Sequence, residues 1–188
     1  MEWLYQIDLS LFRICNQWIA NAPFDAIFPF LTDVKNWYSA YAVCWIALLI
    51  FGKRTGRIAA ILLIPTVILS DYISSSLIKN LVERVRPCFA VEDVRLIVGT
   101  TGGFSFPSSH AVNNFAMAAL FSYYYPKARI FLFVFAFLVA FSRVYLGLHY
   151  PSDMIGGAII GVGIGCLIAF SFDFVEKRFF HRKKMSDD

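Results

Sequence analysis

"RIFLFVFAFLVAFSRVYLGLHYPSDMIGGAIIGVGIGCLIAF", residues 129–170, decides the fold class of this chain. Two runs apolar enough to lie in lipid flank a short link, "SRVYLGLHYPSD" at 142–153, that carries an arginine, a histidine and an aspartate. A spanning helix needs about 20 mostly apolar residues, and both flanks approach that length. A turn that only reverses the chain at a membrane surface needs no such charged set, so the link is marked for chemistry.

The same alternation continues outward from this hairpin. Spans are expected at 57–78, 109–125, 128–147 and 152–173, with a shorter fifth at 37–51. The first 34 residues differ, because Asp8, Arg13, Asn16, Asn21, Asp25 and Asp33 interrupt the apolar positions. With Trp3, Tyr5, Phe12 and Trp18 among them, this segment reads as an interfacial amphipathic stretch, a sixth and poorer span being the alternative. Composition agrees: of 188 residues 59% are hydrophobic and 16% charged, where a soluble domain carries about 25% charged residues. The expected fold is all-α, a polytopic membrane helical bundle of five to six transmembrane helices. It forms one domain over 1–188, with 1–34 interfacial and 177–188 a basic tail. The N-terminus lacks the basic leader and cleavage site of a signal peptide, so the spans are expected to direct insertion. Cys15, Cys44, Cys88 and Cys166 fit no zinc spacing and are read as packing residues.

Charge placement gives an orientation. Lys53, Arg54, Arg57, Lys127, Arg129, Lys177, Arg178, Arg182, Lys183 and Lys184 all fall on one side if five spans alternate. By the positive-inside rule that side is cytoplasmic, and the links 79–108 and 142–153 then face outward together. "GGAIIGVGIG" at 156–165 places small residues for close helix approach. Asp71, an acid inside the second span, is unfavourable there; it is either functional or satisfied by nearby serines or a facing helix.

The outward links gather Lys79, Arg86, Arg143, His110, His149 and Asp153. Pro107, Ser108 and Ser109 look like a helix start, with a serine capping the first turn and free amides suited to an anion. Pro151 does the same for the last span. Arginine forks and a lysine around helix N-termini make a pocket for a polyvalent anion. A histidine beside a carboxylate suits a nucleophile or base, and a second histidine suits an acid. Which histidine takes which part is left open by the residues, although His149 and Asp153 are neighbours. One carboxylate is too few for a two-metal site, so neither metal nor cofactor is expected. Arg84 and Arg95, beside Glu83, Glu92 and Asp93, are read as solvated loop charges.

The stretches "KNLVERVRP" (79–87), "PSSH" (107–110) and "SRVYLGLHYPSD" (142–153) resemble the three-part signature of the type 2 phosphatidic acid phosphatase superfamily. The family pattern is Lys, six residues, Arg-Pro; then Pro-Ser-Gly-His; then Ser-Arg, five residues, His, three residues, Asp. The one departure is Ser109, where the family has glycine. The resemblance implies that His149 attacks phosphorus and forms a phosphohistidine, that Asp153 orients it and that His110 protonates the leaving group. Lys79, Arg86, Arg143, Ser108 and Ser109 would hold the phosphoryl oxygens. It also implies an inner (plasma) membrane enzyme acting at the outer face on a phospholipid or polyprenyl phosphate, with no nucleic-acid partner. Chain size and short loops look most like members that recycle undecaprenyl diphosphate. A lipid A 1-phosphatase is the nearest rival, and phosphatidylglycerophosphate or phosphatidic acid are further substrates of the family. A catalytically silent lipid or phosphate transporter is the non-enzyme alternative.

Overall fold

The computed structural model describes residues 2–100 and 102–184 and holds helices and turns, with no strand among the described residues. Helices α1 (Glu2–Arg13) and α2 (Ala22–Thr32) precede α3 (Tyr38–Phe51) and α4 (Lys53–Asp71). The last continues through a π-helical stretch, Tyr72–Ile78, into α5 (Lys79–Val82). A short α6 (Pro87–Ala90) and a loop lead to α7 (Ser109–Tyr124), α8 (Arg129–Tyr145) and α9 (Pro151–Lys184). Residues 185–188 of the expected basic tail lie outside the described residues.

Four stretches, Val34–Phe51, Lys53–Ala90, Pro126–Tyr145 and Pro151–Arg178, are long and apolar enough to cross a membrane. The remaining expected span, α7, has 16 residues, about 24 Å of helix. It lies at the centre of the bundle, packed most extensively on α9 and then on α8 and α4. Small residues make this possible. Ala111, Ala116, Ala118 and Ala119 are buried on α7, and Gly157, Gly161 and Gly165 recur every fourth residue along the facing side of α9. A Cβ on Gly161 or Gly165 would press into the carbonyl oxygens of Val112 and Ala116, so the two backbones meet directly.

The α3–α4 turn lies at the same end as the later part of α9, since Arg54 pairs with Glu176 at 2.6 Å. The polar links expected from sequence lie at the opposite end, around the start of α9.

Helices α1 and α2, with 12 and 11 residues, are shorter than the about 20 a span requires. Their polarity is inverted relative to a helix floating on headgroups. Trp3, Leu4, Ile7 and Leu11 point outward, whereas Asp8, Phe12 and Asn16 are buried. Asn16 donates to the carbonyls of Arg95 and Tyr145, both at 2.8 Å, and accepts from the Arg95 amide at 2.9 Å. Arg95, read from sequence as a solvated charge, is instead paired with Asp25, and the Tyr145 hydroxyl also donates to Asp25. These two partners hold the Asp25 carboxyl below its usual range. The interrupting polar residues thus tie the N-terminal helices to the bundle. Gly147 adopts φ +82° in the link after α8, where a Cβ would lie 2.7 Å from Val94 Cγ1. Only glycine combines that conformation with that contact.

Candidate active site

Pro151 opens α9, as its position in the link predicts, and puts Asp153 in the first turn with His149 just outside it. Asp153 is fully buried and His149 nearly so. The Asp153 carboxylate turns back to accept the Tyr150 amide at 2.8 Å and the Ser105 hydroxyl. Its Oδ2 is 3.5 Å from Nδ1 of His149, at the limit of a hydrogen bond, and Nδ1 has no nearer partner. The other ring nitrogen, Nε2, lies 3.0 Å from Nη1 of Arg86. A guanidinium can only donate, so Nε2 accepts and the ring proton resides on Nδ1, facing Asp153. Burial above all, with the charges of Arg86 and Arg143 adding, outweighs Asp153 and pushes the His149 imidazole down to about 4. The ring is therefore neutral at ordinary pH, with its lone pair on Nε2.

The cations expected from sequence converge here. Arg86 is held by the carbonyls of Gly103 and Leu148, each at 3.1 Å. Arg143, in the last turn of α8, reaches Thr32 Oγ1 at 3.2 Å, and its Nε is buried with no partner. Lys79 is close enough to both arginines to feel their charge. Three mutually repelling cations in one place favour a polyanion between them. Ser108 occupies the N-cap of α7, as expected, but its hydroxyl caps nothing: Oγ is buried and unpartnered. Its amide instead donates to the Asp153 carbonyl at 3.2 Å. The expected capping bond is therefore absent, because the chain enters α7 with Ser108 at ψ 111° and its hydroxyl off the helix amides.

His110, in the first turn of α7, is 3.2 Å from the carbonyl of Thr32, which must accept its Nε2–H. It lines a cavity of about 560 Å³ between α3, α4, α7 and α8, walled mainly by Trp37, Tyr41, Trp45, Phe121 and Phe135. The cations and His149 lie outside that cavity's wall, so His110 stands between the charged site and an apolar one.

Three participants escaped the sequence reading. Arg84, taken for a solvated loop charge, is half-buried and donates to Asp153 Oδ1, Asp8 Oδ2 and Ser152 Oγ, each at 2.6 Å. Its guanidinium also lies 4.0 Å over the Tyr150 ring. Asp8 further accepts from the Ser152 amide at 2.9 Å. Thr32 holds both His110 and Arg143. Asp8 was legible only as a polar break in an apolar run, and Thr32 not at all. The spacing of Asp8, Phe12 and Asn16, every fourth residue, was the available sign of an inward face.

The four cysteines are free thiols.

Comparison with known proteins finds relatives that match most of the chain. The chain is 34% identical to the lipid A 4'-phosphatase of Bacteroides thetaiotaomicron, over 90% of its own length and 79% of that protein's. It is 28% identical to the undecaprenyl-diphosphatase BcrC of Bacillus subtilis, covering 78% and 74% of the two chains. The crystal structure of Aquifex aeolicus LpxE superposes with a TM-score of 0.70 and 29% identity, over 85% of this chain and 93% of that one. Residues 59–177 match the model of the PAP2 superfamily. That stretch takes in all three motifs and both histidines, and the chain belongs to the PAP2 superfamily, as an integral membrane phosphatase of lipid phosphates.

Proposed function

We propose that the protein cleaves a lipid phosphoester or diphosphate through a phosphohistidine formed on His149. The substrate phosphoryl group enters among Lys79, Arg86, Arg143, the Ser108 hydroxyl and the first amides of α7 from Ser109 onward. Its oxygens replace His149 as the partner of Arg86 Nη1, which frees the Nε2 lone pair. Nε2 attacks phosphorus; the N–P bond forms as the P–O bond to the leaving group breaks, and His110, which takes up a proton once the negative substrate lies beside it, gives that proton to the departing oxygen. Asp153 holds Nδ1–H while the ring gains positive charge. Water then attacks the phosphohistidine, loses a proton to His110, and releases phosphate with His149 restored. No step calls for a metal.

The lipid chain occupies the apolar cavity beside His110. Basic turns at the end of the bundle away from the site support an extracytoplasmic site and a cytoplasmic C-terminus. Undecaprenyl diphosphate, favoured by chain size and loop length, and lipid A phosphates are the two leading substrates.

The observation that carries this reading is the placement of His149, Asp153 behind one ring nitrogen and an arginine donor before the other. Phosphate release by the purified protein in detergent tests it, on undecaprenyl diphosphate, lipid A, phosphatidylglycerophosphate and phosphatidic acid. Activity on at least one lipid, lost in His149→Ala together with acid-labile labelling of the protein, is expected. Undiminished turnover by His149→Ala removes the phosphohistidine.

A further inference from the structure

The cavity beside His110 is apolar except at the end nearest the catalytic groups. There Asp71, the intramembrane acid, lines the cavity together with Asn113 and Asn114. Ser75 gives its single hydroxyl proton to Asp71 Oδ1 at 3.2 Å. In its 3.0 Å contact with Ser109 it must therefore accept, so Ser109 donates. The residue that departs from the family pattern and the intramembrane acid, which one of the nearby serines does partner as the sequence reading allowed, are thus links of one chain, Ser109 to Ser75 to Asp71. On the facing helix, Asn113 Oδ1 accepts from Ser70 at 2.7 Å, which leaves its amide N–H groups without a partner among the described residues. Asn114 spends Nδ2 on the His110 carbonyl at 2.9 Å, which turns its Oδ1 free.

We propose that Asp71, Asn113 and Asn114 form a subsite for the leaving group, and that it selects a lipid whose phosphate is carried on a hydroxyl- or amide-bearing headgroup, such as an acylated amino sugar. This rests on the phosphatase reading above. His110 protonates the departing oxygen, so what lies beyond His110 meets the alcohol that departs. Here that is one carboxylate, one carbonyl oxygen and one pair of N–H donors, followed at once by aromatic and aliphatic walls. A sugar hydroxyl or amide N–H gives Asp71 a donor, and a sugar oxygen or acyl carbonyl gives Asn113 an acceptor. The acyl chains then continue into the apolar part.

A polyprenyl diphosphate matches this mouth poorly. Its leaving group is a second phosphate, whose charge would approach the Asp71 carboxylate, and beyond it comes hydrocarbon with no donor for Asp71 or for the Asn114 oxygen. Weak packing between α3 and α8 gives the chains a sideways path, since α3 packs on α4 and the preceding turn. Trp37 meets Phe135 edge-on at 5.5 Å and closes the gap at its upper end.

The test compares kcat/KM for a diacylated glucosamine phosphate and for a polyprenyl diphosphate, in wild-type protein, Asp71→Asn and Asn113→Asp. The second variant keeps the acceptor that Ser70 needs and removes the N–H donors. The ratio of the two constants is expected to favour the sugar phosphate in wild type and to fall roughly 10- to 100-fold in each variant. Proportional loss on both substrates, with the ratio unmoved, would assign Asp71 and Asn113 to folding and overturn the subsite alone. Wild-type preference for the polyprenyl diphosphate would also overturn it. His149-independent release, or none from either lipid, would take down the phosphatase mechanism and the subsite with it.

Discussion

Arg84 donates to Asp153 at 2.6 Å across 69 residues of sequence, on the side of the carboxylate away from His149. The same guanidinium holds Asp8, so Asp153, the acid proposed to orient His149, is fixed from α9, from the loop after α5 and from the first helix together.

Arg84 is accordingly a positioning residue. Arg84→Gln is expected to lower kcat roughly 10- to 100-fold, the effect of a lost charged hydrogen bond of about 1.5–3 kcal/mol, with KM little changed. Arg84→Lys should recover part of the loss, because one ammonium can serve Asp153 or Asp8 but not both with this geometry. A rise in KM at constant kcat would place Arg84 on the substrate instead.

Protonation of His149 sets a stability window. Its ordinary value is 6.5 and the folded one about 4. Between those values the unfolded chain binds a proton that the folded chain refuses, so stability falls as pH drops through the window, by up to about 3 kcal/mol. Melting curves in detergent should show this decline from pH 6.5 to pH 4 and a shallower one in His149→Gln. Parallel declines in the two proteins would mean that other groups are responsible.

Gly161 permits the contact of α9 with α7 that places His110 opposite the start of α9. Gly161→Ala should destabilise the protein by about 1–3 kcal/mol, the usual effect of overpacking, and Gly163→Ala, where a Cβ meets nothing within 4 Å, should do far less. Thermal unfolding of both variants checks the contrast; equal melting temperatures would show that α9 can step away from α7 without loss.

Much of the site was legible because its chemistry sits in short ordered motifs. His149 and Asp153 are four residues apart at a proline-started helix, Arg86 and Ser108 each stand beside a proline that fixes the local chain, and His110 follows Pro107 by three residues. Contacts made across long stretches of sequence left no such mark. Arg84 lies two residues from Arg86 and looks like its solvated neighbour; only the fold brings Asp8 to it. Thr32 meets His110 through a carbonyl, which every residue possesses, and Arg143 through a lone hydroxyl far away in sequence, so composition could not single it out. The amphipathic reading of the first 34 residues found the two faces but gave the polar one to water, whereas Asp8 and Asn16 turn it to the bundle. The helix expected at 109–125 is present as Ser109–Tyr124 but is not among the four stretches long and apolar enough to cross a membrane, and a central helix that touches three others through alanine and glycine needs no long apolar exterior.

The bond between Asp8 and Arg84 also governs how the protein is best handled. An affinity tag or fusion partner joined to the first residues would hang seven positions from a group that steadies Asp153 through Arg84. The far end of α9, 34 residues from Pro151 and about 50 Å along the helix, is the end to which a label, a reporter or a surface tether belongs.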